Sequence, residues 1–361
     1  MIGQNEAHLR NRWLEFWNKE NHDRPVISIE VPLETDVPAP PKPETLRERW
    51  ENPDYVVAAA RHRMEHTWYG GEAVPVLNPD LGPDLVGAVA GCGIEYGENT
   101  SWAEPVVTDW SAYPPIAFDP ENPWWKKICA LTRAAVADAR GDYLVGITDL
   151  HPGTDGLVSL RGPQDLCFDL MDCGEVLLPR TRELFEVYRR IYDGLTEIIA
   201  PHQAGSINWM GIWHPEKRWY VVGSDFSCML GSEEYERFVA PGLELELDYL
   251  EASMYHLDGP AAARQHLARI LQFEKLDGVQ WVYGAGQPSA RHWLPLLRQI
   301  QAAGKRIQVH CEVEDVVPVC EALRPEGVHL IVDDCPDVET GEKLLQAAEE
   351  ATRENRSERH G

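Results

Sequence analysis

The feature that most constrains this chain is an alternation: short β-rich runs are separated by longer helix-like segments along almost its whole length. The runs begin at Val26 (VISIEV), Ala73 (AVPVLNP), Tyr143 (YLVGITD), Ser206 (SINWMG), Ala252 (ASMYHLD), Gly278 (GVQWVYG), Arg306 (RIQVHCE) and Val328 (VHLIVDDC). Segments between them, such as PRTRELFEVYRRIYDGLTEIIA and PSARHWLPLLRQIQAAG, carry helical periodicity. Strands alternating with helices favour parallel pairing, and eight such units close most naturally into a (β/α)8 TIM barrel, an α/β fold. One barrel domain is expected over residues 1–352, with an N-terminal helix and insertions after the first two strands, at about 32–50 and 79–120. The second insertion contains a Gly-punctuated stretch that reads as a hairpin. The charged segment 353–361 reads as a flexible tail.

Charge and composition exclude several classes of function. The chain of 361 residues carries 33 basic against 59 acidic residues, a formal charge of −26, which repels a polyphosphate backbone. Nucleic acid is therefore not an expected partner. No apolar run approaches the roughly 20 residues that span a bilayer, so no membrane association and a cytoplasmic location are expected. The eight cysteines include no C-x-x-C pair and imply reduced thiols rather than a disulfide framework.

On barrels of this kind the chemistry comes from the C-terminal ends of strands. Those ends hold Glu30, Asn78, Asp149, His256, Asp258, His310, Cys311, Asp334 and Cys335, a set rich in metal ligands. Residues two apart on a strand point the same way, so His256 and Asp258 could grip one ion. With Cys335, and with Cys311 or His310 nearby, they could supply a zinc set. The competing structural reading has His256 hydrogen-bonded in its loop, Asp258 capping the helix that begins at Pro260, and Cys335 buried. Trp209, Trp213, Tyr255, Trp281 and Tyr283 suggest an aromatic mouth for a planar or sugar-like ligand, with core packing as the alternative. Arg161, in SLRGP, suits a ligand carboxylate.

Three stretches carry a family resemblance: TDLHPGTDGLVSLRGPQDLCFDLMD at 148–172, SDFSCMLGSEEYERFVAPGLELELDYL at 224–250, and YHLDGP at 255–260. They resemble the uroporphyrinogen decarboxylase superfamily, nearest to its uncharacterised members beside the corrinoid-linked methyltransferases and cobalamin-independent methionine synthases. The resemblance implies a (β/α)8 barrel. For the methyltransferase branch, its His-x-Cys plus a late Cys falls on His256, position 258 and Cys335. Asp258 departs from that pattern and offers a harder ligand than a thiolate. The Arg-rich end of the first strand that marks the decarboxylases is absent.

The leading expectation is a metal-assisted methyltransferase that demethylates a small O- or N-methylated compound, passing the methyl to a corrinoid protein or another acceptor. Zinc on His256, Asp258 and Cys335 would polarise the heteroatom, and Asp149 would protonate it as it leaves. A second expectation is a metal-free decarboxylase or lyase, with Arg161 on a carboxylate and Asp225 or Asp149 handling a proton. A third is a non-catalytic small-molecule binding protein. The oligomeric state is left open, a homodimer included.

Overall fold

The computed structural model describes residues 5–360. Eleven strands are present among them: β1 (Val26–Pro32), β2 (Thr67–Gly71), β3 (Val76–Leu77), β4 (Gly93–Tyr96), β5 (Ser101–Glu104), β6 (Leu144–Val145), β7 (Trp219–Gly223), β8 (Ala252–Asp258), β9 (Gly278–Val282), β10 (Arg306–Cys311) and β11 (Val328–Val332). Seven form one sheet in the order β2-β1-β11-β10-β9-β8-β7. All its pairings are parallel except β1–β2. Helices connect the successive parallel strands β8 to β11, since parallel neighbours need a long crossover connection.

The fold is therefore mixed α/β with a mainly parallel central sheet, but no continuous ladder closes it into a barrel among the described residues. β3 pairs only with β6 in a separate parallel ribbon, and Ile147 meets Asn208 through an isolated bridge. Two differences from the expected strand list account for this. The run at Ser206 forms no strand. Its place beside β8 is taken by β7, whose sequence WYVVG is an unbroken apolar run of the kind a doubly buried strand adopts and carries no alternation to announce it. β4 and β5 form an antiparallel hairpin within the second insertion. The last helix spans Val338–His360, so the segment expected to be a flexible tail continues it. Asn355 donates to the carbonyls of Cys320 and Leu323 there.

Side-chain parity places the polar layer of the sheet. Cross-strand register aligns His256 with Gln280, Gln280 with Gln308, and Gln308 with His329. Two residues further along come Asp258, Val282, His310 and Ile331. The intervening residues, among them Tyr255, Leu257, Trp281, Val309 and Cys311, face the helices and are buried.

The first helix, Glu6–Asn18, is fastened to the sheet by a fully buried carboxylate. Glu72 accepts from Arg12 Nε at 3.1 Å, from Arg24 Nη2 at 2.7 Å and Nη1 at 2.8 Å, and from the Ile27 amide at 2.9 Å. Burial opposes ionisation of this carboxyl, but the two guanidinium groups and the Ile27 amide outweigh it and hold its pKa below the ordinary value. Its stabilising contribution is thus present above the unfolded-state pKa and is lost as pH falls through the lower folded-state value. Glu72→Gln removes the carboxylate shared by Arg24 and Arg12, the latter keeping Glu15 and Asp23, and is expected to cost about 3 kcal/mol. Denaturant titration should show that loss at neutral pH, and it should shrink in acid as the wild-type carboxylate protonates.

Candidate functional site

A cavity of about 510 Å³ opens at the C-terminal ends of β1, β10 and β11. Inward parity brings Ser28 and Glu30 from β1, Gln280 from β9, His310 from β10 and His329 from β11 into its wall. Asp333 follows β11 with the same parity and also lines it. His310 Nδ1 lies 3.1 Å and 3.0 Å from the two oxygens of Asp333. A carboxylate on Nδ1 orients an imidazole and leaves Nε2 to exchange protons with a ligand.

The rest of the wall is polar and partly aromatic. Burial raises the Glu30 carboxyl above its usual range, with Arg63 pulling the other way. Burial, reinforced by Glu30, pushes the Tyr69 hydroxyl up to about 12. Asn78 Oδ1 and Trp209 Nε1 belong to residues of this wall and are buried without a hydrogen-bond partner among the described residues. One orphan acceptor and one orphan donor suit a ligand that carries both functions.

A second cluster adjoins the cavity at the ends of β6, β7 and β8. The Trp209 and His256 rings meet edge to face with centroids 5.2 Å apart. His256 Nδ1 lies 2.5 Å from Gln280 Oε1, and its Nε2 lies 3.9 Å from Asp225 Oδ1. Burial raises the Asp258 carboxyl, His256 lowers it, and Asp225 adds to the rise. Asp149 Oδ1 sits 2.9 Å from His151 Nε2. Burial disfavours the His151 cation, yet Asp149, Asp155 and Asp225 together push its pKa up to about 10. Asp155, lifted by burial and Asp225, accepts from the amides of Asp225 and Phe226 at 3.0 Å and 2.9 Å.

Of the expected proton-handling residues, the structure brings His256, Asp225 and Asp258 together and joins Asp149 to them through His151. The expected zinc set does not assemble. Cys311 is on the helix-facing side of β10, wholly buried, with its thiol pKa raised by that burial. Cys335 turns its Sγ to the Asp337 carbonyl, 3.5 Å away, and packs near Gly341 of the last helix. Among the described residues no group of three His, Cys, Asp or Glu side chains is arranged to hold a metal ion. These donors do not fit zinc.

The expected aromatic mouth also divides. Trp209 lines the cavity and Tyr283 is half-buried beyond the end of β9, whereas Tyr255 and Trp281 are buried on the helix side of the sheet. Tyr255 lies 3.4 Å from the Tyr235 hydroxyl, and Trp281 packs on Trp293. Trp213 is buried with its Nε1 on the Ala204 carbonyl. Arg161 does not reach the cavity: its guanidinium is held by Asp169 at 2.6 Å and 3.2 Å and by the carbonyls of Val107 and Thr108. Asp333, His151 and Gln280 are the residues that sequence reasoning missed. The two-residue repeat could have found Asp333 and Gln280, because both share parity with neighbouring inward residues. The run TDLHP held His151 in plain view beside Asp149.

Two outcomes are expected. Arg161→Ala should lower stability by about 1–3 kcal/mol through its lost charged hydrogen bonds while leaving ligand affinity unchanged, as read by calorimetry. His151 is raised above its unfolded-state pKa, so its contribution is complete below about 6.5 and fades as pH rises towards 10. The difference in melting temperature between wild type and His151→Gln should therefore narrow over that alkaline range.

No protein-family model and no curated protein matches this chain. Among solved structures it is similar to a methyltransferase from Methanosarcina mazei, with a TM-score of 0.62 at 13% sequence identity over 95% of this chain and 98% of that one. The two proteins share a fold across nearly their full lengths.

Proposed function

We propose that the protein is an enzyme that transfers a methyl group from a small polar O- or N-methylated compound bound in the 510 Å³ cavity. The observation that carries this reading is the His310–Asp333 pair, an imidazole oriented by a carboxylate in the wall of a cavity open to solvent. In methyl transfer the bond from carbon to the departing heteroatom breaks as the bond from carbon to the acceptor forms. The heteroatom keeps the electron pair and takes a proton, here from His310 Nε2, while Asp333 stabilises the imidazolium that supplies it. Asn78 Oδ1 and Trp209 Nε1 orient the compound through its own donor and acceptor.

The full-length likeness to a methyltransferase fold supports this reading. The resemblance to the uroporphyrinogen decarboxylase superfamily adds a corrinoid protein as the proposed acceptor. It also favours reading the seven-stranded sheet, the β3–β6 ribbon and the Ile147–Asn208 bridge as arcs of one (β/α)8 barrel. The lyase alternative loses its carboxylate clamp, since Arg161 is taken up by Asp169.

A panel of methylated compounds assayed with a reduced corrinoid protein and with thiol acceptors tests the proposal. His310→Gln and Asp333→Asn are expected to lower kcat by about 10²–10⁴-fold with little change in KM. Undiminished kcat in His310→Gln would remove the mechanism. Thermal stabilisation by a compound with no turnover under any acceptor would favour the binding-protein reading.

A further inference from the structure

The inward layer contains an unbroken line of polar contacts across five strands. Gln308 and His329 are 0% and 1% exposed and Gln280 is 2% exposed, so water cannot readily substitute for a missing partner. Register places Gln308 directly between Gln280 and His329, and Gln280 directly beside His256. The direction of every hydrogen bond in this line follows from one backbone carbonyl.

Met210 O can only accept, and it lies 2.8 Å from Gln308 Nε2, which fixes which end of that amide is nitrogen. The same nitrogen lies 3.0 Å from His329 Nδ1, which therefore accepts, leaving the His329 proton on Nε2 to be donated to Ser28 Oγ at 2.9 Å. Burial, with His310 adding to it, depresses this imidazole to about 3, in keeping with a neutral ring. Gln308 Oε1 is thereby turned to Gln280 and accepts from its Nε2 at 2.6 Å. Only the Gln280 oxygen remains for His256 Nδ1, 2.5 Å away. An amide oxygen cannot donate, so Nδ1 must.

We propose that this ladder is a tautomer lock, in which the Met210 carbonyl, acting through Gln308 and Gln280, keeps a proton on His256 Nδ1 and confines proton exchange to Nε2. Gln308 is then a positioning residue for His256, which it does not touch. The Nε2 atom faces the Asp225 carboxylate at 3.9 Å and, in the neutral ring, takes a hydrogen bond from whatever ligand group reaches it. That group must bring an N–H or O–H. The inference does not rest on methyl transfer, because the tautomer is observable in the absence of any substrate.

The test is a two-bond ¹H–¹⁵N spectrum of the full chain labelled at histidine, recorded as the pH is raised until the ring is neutral, with His256→Asn identifying the resonances. The wild type is expected to show a pyrrole-type Nδ1 and a pyridine-type Nε2 at His256, with the opposite arrangement at His329. Gln308→Met, which frees the Gln280 amide to turn over, should yield a mixture of both His256 tautomers while near-ultraviolet dichroism stays native. A wild-type His256 with its proton on Nε2, or an unchanged tautomer in folded Gln308→Met, overturns the proposal. Should Gln308→Met not fold, the wild-type pair of tautomers decides alone: any combination other than the one stated overturns it.

Discussion

The two-residue repeat of the strand is the constraint on which this structure depends. One face of the parallel sheet packs against helices and takes mainly apolar side chains, Ser253 being a small buried exception, so the larger polar residues of β8 to β11 gather on the other face. His256, Gln280, Gln308 and His329 meet in one layer because their strands are in register, and the same parity sets Leu257, Val279, Val309 and Leu330 against the helices. The site is thus a by-product of how the apolar residues are satisfied. Shifting β10 by one residue would exchange His310 for Cys311 and Gln308 for Val309 on the inward face.

Much of this was legible in the chain. The alternation of strands and helices yields the α/β class, the parallel pairing of β8 to β11 and the end of the sheet where polar residues gather. What was hidden depends on information that a single run does not carry. WYVVG has no alternation, so β7 is invisible to a period test, and the short pairing of β3 with β6 is set by tertiary contact rather than by propensity. The site was half legible for a related reason. Selecting the last residues of each run mixes both faces, so Cys311, Tyr255 and Trp281 joined the candidates while Asp333 and Gln280 did not. Arg161 ends one helix and its partner Asp169 lies in the next, so an ion pair across the break at Gly162 takes up a guanidinium that the sequence alone offers to a ligand.

Buried charge is used in two distinct ways. Glu72 is surrounded by guanidinium groups and serves attachment: three parts of the chain, the first helix, Arg24 and the start of β1, converge on one carboxylate. His151 is the converse, a buried imidazole whose protonated form Asp149, Asp155 and Asp225 favour. The first anchors the sheet at the end remote from the polar cluster. The second keeps several carboxylates close together without leaving them uncompensated, which is the electrostatic condition for placing Asp225 beside His256.

The pairing of β1 with β11 joins Val26–Ile29 to His329–Val332, about three hundred residues apart along the chain. During synthesis the edge of β1 has no parallel neighbour until the roughly three hundred intervening residues have emerged, and closing so distant a contact is slow. The antiparallel strand β2, which arrives soon after β1, occupies its other edge and leaves a ribbon rather than a lone strand to wait. Until β11 is made, a nascent chain therefore carries one open hydrogen-bonding edge on β1, where a chaperone or a second nascent chain could pair.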